Sequence, residues 1–221
     1  KETRVGPLKH ESIPLSTGVA METLAQAPSS RSEKRSKALP PLLFVHGSYH
    51  AAWCWAEHWM PFFAGKGYET YSISLRGTSG TPLPASEGRQ RGIKVSEHVA
   101  DLRGFISRAL QGRPPVLVCH SFGGLVGLKL LEETLAEVAA ASNGGGNGNG
   151  GAAGVAGNVA GIVLLCSVPP SGNGPMTGRF IREKPLAAIK IVLGFVFKLA
   201  ATWPWLARDL FFSKSLEPAV L

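Results

Sequence analysis

The sequence has few cysteines, three in 221 residues. Cys54, Cys119 and Cys166 lie in apolar stretches and lack the close spacing of zinc ligands, so neither a disulfide framework nor a metal site is indicated. We expect three buried free thiols in a reducing compartment, the cytoplasm or an organelle such as a plastid. The first residue is lysine, which is consistent with a missing natural start and leaves any targeting peptide open.

The arginine-aromatic stripe of many nucleic-acid-binding proteins is absent. The net charge is +8 and the pI is near 9.7, but the basic residues are spread along the chain, so no nucleic-acid partner is expected. The densest basic cluster, residues 31–37, is interleaved with serines and predicts a solvated loop. A weak contact with an anionic surface is the alternative interpretation.

An uninterrupted apolar run of membrane-spanning length is also lacking. The most apolar stretch, residues 186–207, is long enough to cross a bilayer but contains Lys190, Lys198 and Pro204, and charges are costly there. A buried or lid segment is favoured over a membrane span.

Short apolar segments dominate the first 166 residues. Residues 10–15 and 20–26 alternate polar and apolar side chains around a Ser-Thr-Gly turn, which predicts an antiparallel β-hairpin. Later runs are typical of parallel strands covered on both faces. These runs are residues 42–45, 71–75, 116–119 and 162–166.

Helical patterns separate these strands, which together predict an α/β fold with a mostly parallel sheet. Residues 96–110 predict a helix with Ser96 as N-cap. Its apolar face is Val99, Leu102, Ile106 and Leu110, and its polar face is Glu97, Asp101, Arg103 and Arg108. A second helix follows Ser121, with apolar positions at Leu125, Leu128, Leu131, Leu135 and Val138 and outward charges at Lys129, Glu132, Glu133 and Glu137.

Two composition changes divide the chain. Residues 143–151 are almost entirely glycine and asparagine, which predicts a flexible insertion in a surface loop. From Pro169 onward the strand-helix alternation gives way to a helix-prone, aromatic-rich segment. We therefore expect a core in residues 1–168 and the beginning of a helical cap in residues 169–221.

The strongest chemical signal lies at residues 116–124, Val-Leu-Val-Cys-His-Ser-Phe-Gly-Gly. A buried strand runs directly into Ser121-x-Gly123 and then into an amphipathic helix, which is the context of a nucleophile elbow. Cys119 stands where that motif has glycine. The alternative interpretation is that Ser121 only caps the helix.

A second strand-to-turn signal is Leu42 to Tyr49, which contains His46-Gly47 and is followed by Trp53, Trp55 and Trp59. With these features the chain resembles the α/β-hydrolase family, in its serine esterase and lipase branch. The segment from Leu75 to Gly80 resembles the loop after that family's fourth strand, although Ser74 replaces the acidic residue often found there.

The resemblance implies a catalytic role for Ser121, with the oxyanion held by the backbone N–H groups of Ser48 and Phe122. It also implies substrate contacts at Gly47, Tyr49 and His120, and no cofactor or metal. In this family His46 and His120 are structural rather than catalytic. Core packing is favoured for the three tryptophans, with a substrate platform as the alternative.

A catalytic serine needs an imidazole base and a carboxylate, which in this fold follow the serine in the chain. All six histidines precede Ser121. We therefore expect a C-terminally truncated chain, with the acid and histidine beyond residue 221, that is nearly inactive alone. Truncation would leave residues 162–166 as an unprotected apolar edge strand, so self-association is expected.

The expected parent activity is hydrolysis of an apolar or lipid-like carboxylic ester through an acyl-enzyme. Epoxide hydrolases and dehalogenases of the same fold are disfavoured, because they need a carboxylate where this chain has Ser121. The alternative from another class is a non-catalytic ligand-binding or interaction protein derived from a hydrolase.

Overall fold

The computed structural model of the protein describes residues 5–28, 38–84, 92–111, 113–143, 159–169, 172, 174–197 and 199–211. These residues belong to two compact units, one ending at Pro170 and the other beginning at Ser171. Residues 31–37 and 144–151, which carry the basic cluster and most of the glycine-asparagine run, lie outside the described residues.

The first unit contains a six-stranded mixed sheet with the order β1-β2-β4-β3-β5-β6. Its strands are β1 (Leu8–Pro14), β2 (Ala20–Gln26), β3 (Leu42–Val45), β4 (Thr70–Ile73), β5 (Val116–His120) and β6 (Gly161–Leu165). The β1-β2 and β2-β4 pairs are antiparallel, and the remaining pairs are parallel. The predicted α/β fold, with its N-terminal hairpin and mostly parallel sheet, is confirmed.

Helices cover the two faces of the sheet. Leu43 and Val45 point to a core shared with α2 (Val95–Ala109) and α3 (Phe122–Asn143). Leu42 and Phe44 point to the other face, where a 3-10 turn (Ala52–Trp55) and α1 (Trp59–Gly65) pack. Alternate residues of β3 therefore contribute to both cores.

The edge strand β6 differs from its prediction. Val163 and Leu164 expose 44% and 42% of their surface, so this apolar strand is not covered on both faces. Such an edge favours pairing with another chain, and the expected self-association stays a prediction.

The inward face of α3 also differs from the leucine pattern. The buried positions are Val126, Leu130 and Thr134, whereas Leu135 is exposed. The cause is Gly127, where a Cβ would lie 2.9 Å from both the Cys119 Sγ and the Ile162 Cδ1. A glycine at this position brings the helix backbone onto the sheet, so its neighbours on the same face enter the core.

The apolar face of α2 is confirmed, but two of its polar residues were misplaced. Ser96 lies inside the first turn, and the N-cap is Lys94, whose backbone N–H donates to the Glu97 carboxylate at 2.7 Å. Asp101 is fully buried rather than solvated. It accepts hydrogen bonds from Nε (2.6 Å) and Nη2 (2.7 Å) of the buried Arg76 and from the hydroxyl of Thr17.

The cysteines are all free, as predicted, but differ in burial. Cys119 is buried and Cys54 half-buried, whereas Cys166 is exposed, contrary to expectation. Burial raises the pKa of Cys119 to about 12 and that of Cys54 to about 11, so both thiols are protonated near neutral pH. Within the described ranges no group of three or more His, Cys, Asp or Glu residues fits a metal ion.

The second unit is helical, as its composition predicts. It contains α4 (Gly174–Glu183), α5 (Pro185–Ile191), a π turn (Val192–Val196), a 3-10 turn (Leu199–Ala201) and α6 (Pro204–Phe211). Leu186, Ile189 and Trp205 are exposed, so residues 186–207 are not buried at these positions, and the lid alternative stays a prediction. In the part of the chain that the structure describes, no helix combines the length and apolarity needed to cross a membrane.

We expect Asp101→Asn to lower the free energy of unfolding by about 3–5 kcal/mol, because it removes the charge of the buried carboxylate that accepts two hydrogen bonds from Arg76. The second carboxylate near Arg76, that of Glu97, is more exposed and lies 3.7 Å away. The measurement is urea unfolding followed by tryptophan fluorescence. The control is Glu137→Gln in the exposed Arg103–Glu137 pair, which should cost less than about 1 kcal/mol. Equal small losses in both variants would show that the buried pair does not stabilise the fold.

Candidate active site

The carboxyl ends of the parallel strands meet at one edge of the sheet. The residues that follow β3 (His46 to Tyr49), β5 (Ser121) and β6 (Cys166 to Val168) therefore lie together. In open α/β sheets, ligands bind at this edge.

Ser121 occupies the turn between β5 and α3. Its φ of 51° lies in the left-handed region, which a residue with a side chain adopts only when its surroundings hold it there. The Ser121 N–H donates to the Leu165 carbonyl at 3.0 Å, and the Gly124 N–H donates to the Ser121 carbonyl at 3.0 Å. Ser121 thus projects from a tight strand-to-helix turn and is not part of a continuous helix.

Three glycines let the neighbouring segments approach this turn. A Cβ on Gly47 would lie 2.8 Å from the Ser121 Cβ and from the His120 Nδ1. A Cβ on Gly123 would lie 2.6 Å from the carbonyl oxygens of Val45 and His46, and one on Gly124 would collide with the Ser167 hydroxyl. The bend after β3 therefore rests directly against the turn that carries Ser121.

Two backbone N–H groups lie in these adjoining turns. Ser48 follows Gly47, and Phe122 is the first residue of α3, whose N–H cannot bond within its own helix. Among the described residues, neither N–H has a backbone acceptor. The Phe122 ring packs edge-on against the buried His98, with ring centroids 5.4 Å apart.

The other sequence-predicted contact residues surround the same turns. Tyr49 is exposed and has a φ of 64°. The half-buried His120 lies edge-on to His50, with centroids 6.0 Å apart. Burial, followed by the neighbouring His50 charge, lowers the pKa of His120. The structure therefore brings Gly47, Ser48, Tyr49, His120, Ser121 and Phe122 together.

The comparison with family models agrees with this fold, since residues 42–220 match the model of the alpha/beta hydrolase family. The chain belongs to that family. A similar curated protein is methylesterase 10 of Arabidopsis thaliana, which is 32% identical over 95 residues, or 41% of this chain and 31% of that protein. The chain thus spans less than a third of this relative.

Solved structures that match this chain in part include two epoxide hydrolases. The enzyme VrEH1 from Vigna radiata is 23% identical, has a TM-score of 0.45, and is matched over 56% of this chain and 35% of its own. A laboratory-evolved variant of the potato enzyme StEH1 is 21% identical, has a TM-score of 0.48, and is matched over 58% and 37%.

In this member of the alpha/beta hydrolase family, His46 is held mainly by backbone groups of two segments. Its Nδ1–H donates to the Gly47 carbonyl at 2.7 Å, and its Nε2 accepts from the Leu75 N–H at 2.9 Å. Burial lowers its pKa to about 4, although the Gly47 hydrogen bond acts in the opposite direction. His46 is thus a neutral imidazole that fixes the bend after β3.

A carboxylate from another strand lies next to Ser74, where the alpha/beta hydrolase family often has an acid. The Ser74 hydroxyl donates to Glu22 Oε2 at 2.5 Å, and the Gly80 N–H donates to the same oxygen at 3.1 Å. Burial acts to raise the pKa of Glu22, but these hydrogen bonds, one from Ser79 and the charge of His10 together outweigh it, and the pKa is lowered. Sequence reasoning missed Glu22 because it lies on β2, 52 positions from Ser74.

The three tryptophans after β3 have different surroundings. Trp55 is buried and packs against Phe44 with centroids 5.1 Å apart, as core packing predicts. Trp59 contacts Trp55 and is partly exposed. Trp53 has 60% of its surface exposed, so core packing is wrong for this residue.

Lowering the pH from 6.5 to 4 should reduce the free energy of unfolding by about 3 kcal/mol through His46 alone. In this window the unfolded chain binds a proton at His46 and the folded protein does not, so the unfolded state gains stability as the pH falls. Urea unfolding at several pH values measures the slope.

The control compares His46→Asn with a variant of the exposed His58, His58→Asn. The first should lose the share of the slope that comes from His46, about 3 kcal/mol between pH 6.5 and 4, and the second should keep the whole slope. If His46→Asn keeps the wild-type slope, His46 is protonated in the folded protein and the described hydrogen-bond arrangement is wrong.

Proposed function

We propose that Ser121 is the nucleophile of a carboxylic ester hydrolase. The observation that carries this proposal is the left-handed turn at Ser121, which lies against Gly47 and beside two N–H groups without backbone acceptors. A strained strand-to-helix turn of this kind is how the fold exposes a reactive serine.

In the proposed reaction the Ser121 oxygen attacks the ester carbonyl carbon while its proton passes to a base. The carbonyl electron pair moves onto oxygen, and the Ser48 and Phe122 N–H groups stabilise the resulting oxyanion. Collapse of this intermediate expels the alcohol, which takes up the proton, and water then cleaves the acyl-enzyme by the same steps. One oxyanion-hole donor typically contributes 10²–10³ in turnover.

The base is the part that these 221 residues do not provide. All six histidines precede Ser121, and both ring nitrogens of His46 are engaged by backbone groups. We therefore assign neither the imidazole nor its carboxylate, and we expect residues 1–221 alone to hydrolyse esters weakly. Without a triad base, catalysis of about 10³–10⁴ over water can remain from the oxyanion hole and binding.

The proposed substrate class is an apolar or lipid-like ester. The second unit exposes Met176, Leu186, Trp203 and Trp205 among its described residues. Apolar binding sites reward burial of such ester groups. A serine at the turn argues against epoxide hydrolysis, which in this fold uses a carboxylate nucleophile.

The second candidate is a non-catalytic ligand-binding protein built on the same fold. The position of every histidine before Ser121 favours it, because binding needs no proton acceptor. The two candidates differ in whether Ser121 is reactive.

Reactivity is tested with a fluorophosphonate probe and added imidazole, which replaces the missing base. We expect labelling of the Ser121 peptide, at a rate that rises with imidazole concentration, to be detected by mass spectrometry. Ser121→Ala should abolish labelling, whereas Ser12→Ala, at an exposed serine on β1, should leave it unchanged. A folded protein that shows no labelling of Ser121 at any imidazole concentration would refute the esterase and favour the binding protein.

A further inference from the structure

Three aromatic rings form a row that leads outward from Ser121. His120, the residue before Ser121, lies edge-on to His50 with centroids 6.0 Å apart. His50 stacks on Trp53 with centroids 5.9 Å apart and an interplanar angle of 26°. We name His120, His50 and Trp53 the aromatic ledge.

The outer ring is exposed because the 3-10 turn beneath it is fixed in orientation. The Ala52 N–H donates to the Ser74 hydroxyl at 2.9 Å, and the Ala52 carbonyl accepts from the Ser72 hydroxyl at 3.0 Å. Both serines are fully buried. With Trp55 packed into the core, Trp53, two positions earlier on this short turn, extends into solvent.

The middle ring is also oriented by backbone. His50 Nδ1–H donates to the Ser48 carbonyl at 3.0 Å, and the His50 N–H donates to the Gly47 carbonyl at 3.4 Å. The ledge is thus attached to the same bend that rests against Ser121. Fixed rings of this kind lose little conformational freedom when a ligand binds.

We propose that the aromatic ledge binds a planar aryl group of a ligand whose carbonyl lies at Ser121, which makes aryl-bearing esters the preferred substrates. That such a ligand is a substrate rests on the proposed function, whereas the binding of an unreactive aryl ketone does not. Offset or edge-on aromatic contacts add to the effect of burial alone, and correspond to about three- to tenfold in affinity.

The test compares two unreactive methyl ketones of similar size, 6-phenylhexan-2-one and 6-cyclohexylhexan-2-one, by NMR titration of the 221-residue protein. Both carry the carbonyl on the same four-carbon linker, which spans the ring spacing of the ledge, and only the phenyl ring is planar. We expect the phenyl ketone to bind about three- to tenfold more tightly. Equal affinities, or no binding of either ketone up to its solubility, would overturn the proposal.

Variants assign the preference to Trp53. Trp53→Leu should remove most of the ratio between the two dissociation constants, and Trp53→Phe should restore most of it. Phe62→Leu is the matched control, because Phe62 on α1 is 59% exposed but is not part of the ledge. A ratio that survives Trp53→Leu, or that Phe62→Leu abolishes equally, contradicts the assignment.

The ketone-binding experiment and the Ser121 labelling experiment test the two proposals separately, so either proposal can be refuted without the other. Ser121→Ala should keep the preference for the phenyl ketone although it cannot be labelled. A ledge without selectivity leaves imidazole-dependent labelling unaffected, and an unreactive Ser121 leaves the ketone ratio unaffected.

Discussion

The site depends on the close contact of two turns, made possible by a glycine in each. Gly47 after β3 has no room for a Cβ because Ser121 and His120 lie against it. Gly123 has no room for one because the carbonyl oxygens of Val45 and His46 lie against it. Each turn therefore limits where the other can lie. The left-handed φ of Ser121 persists because the backbone on both sides is held, by this contact and by the hydrogen bond to Leu165.

Buried polar contacts hold the segments around this pair of turns. His46 joins the bend after β3 to Leu75, and the Arg76–Asp101 ion pair joins the next loop to α2. Ser74 connects the 3-10 turn to Glu22 on β2. These buried groups are satisfied by specific partners, and loss of a partner removes hydrogen bonds that the buried group cannot replace with water. The same anchored 3-10 turn leaves Trp53 exposed, so the position of the aromatic ledge follows from the core.

Much of the fold and of the candidate site could be predicted from local pattern. The hairpin, the parallel strands and the strand-turn-helix at Ser121 each follow from hydrophobic periodicity and turn residues within a short window. The errors at Asp101, Glu22 and Trp53 share a different cause, since their burial or exposure depends on partners distant in the sequence. The inward face of α3 was missed because the glycine spacing, rather than the leucine pattern, decides which side approaches the sheet. The base of the proposed reaction could not be assigned, because no histidine follows Ser121, and without a base the acid that orients it could not be chosen.

The most direct test of the account is a crystal structure of the protein after reaction with a small fluorophosphonate in the presence of imidazole. The account predicts phosphorus bonded to the Ser121 Oγ, with the phosphonyl oxygen about 2.7–3.1 Å from the backbone nitrogens of both Ser48 and Phe122. A Ser121 with helical φ, or an adduct whose oxygen points away from these two nitrogens, would contradict it.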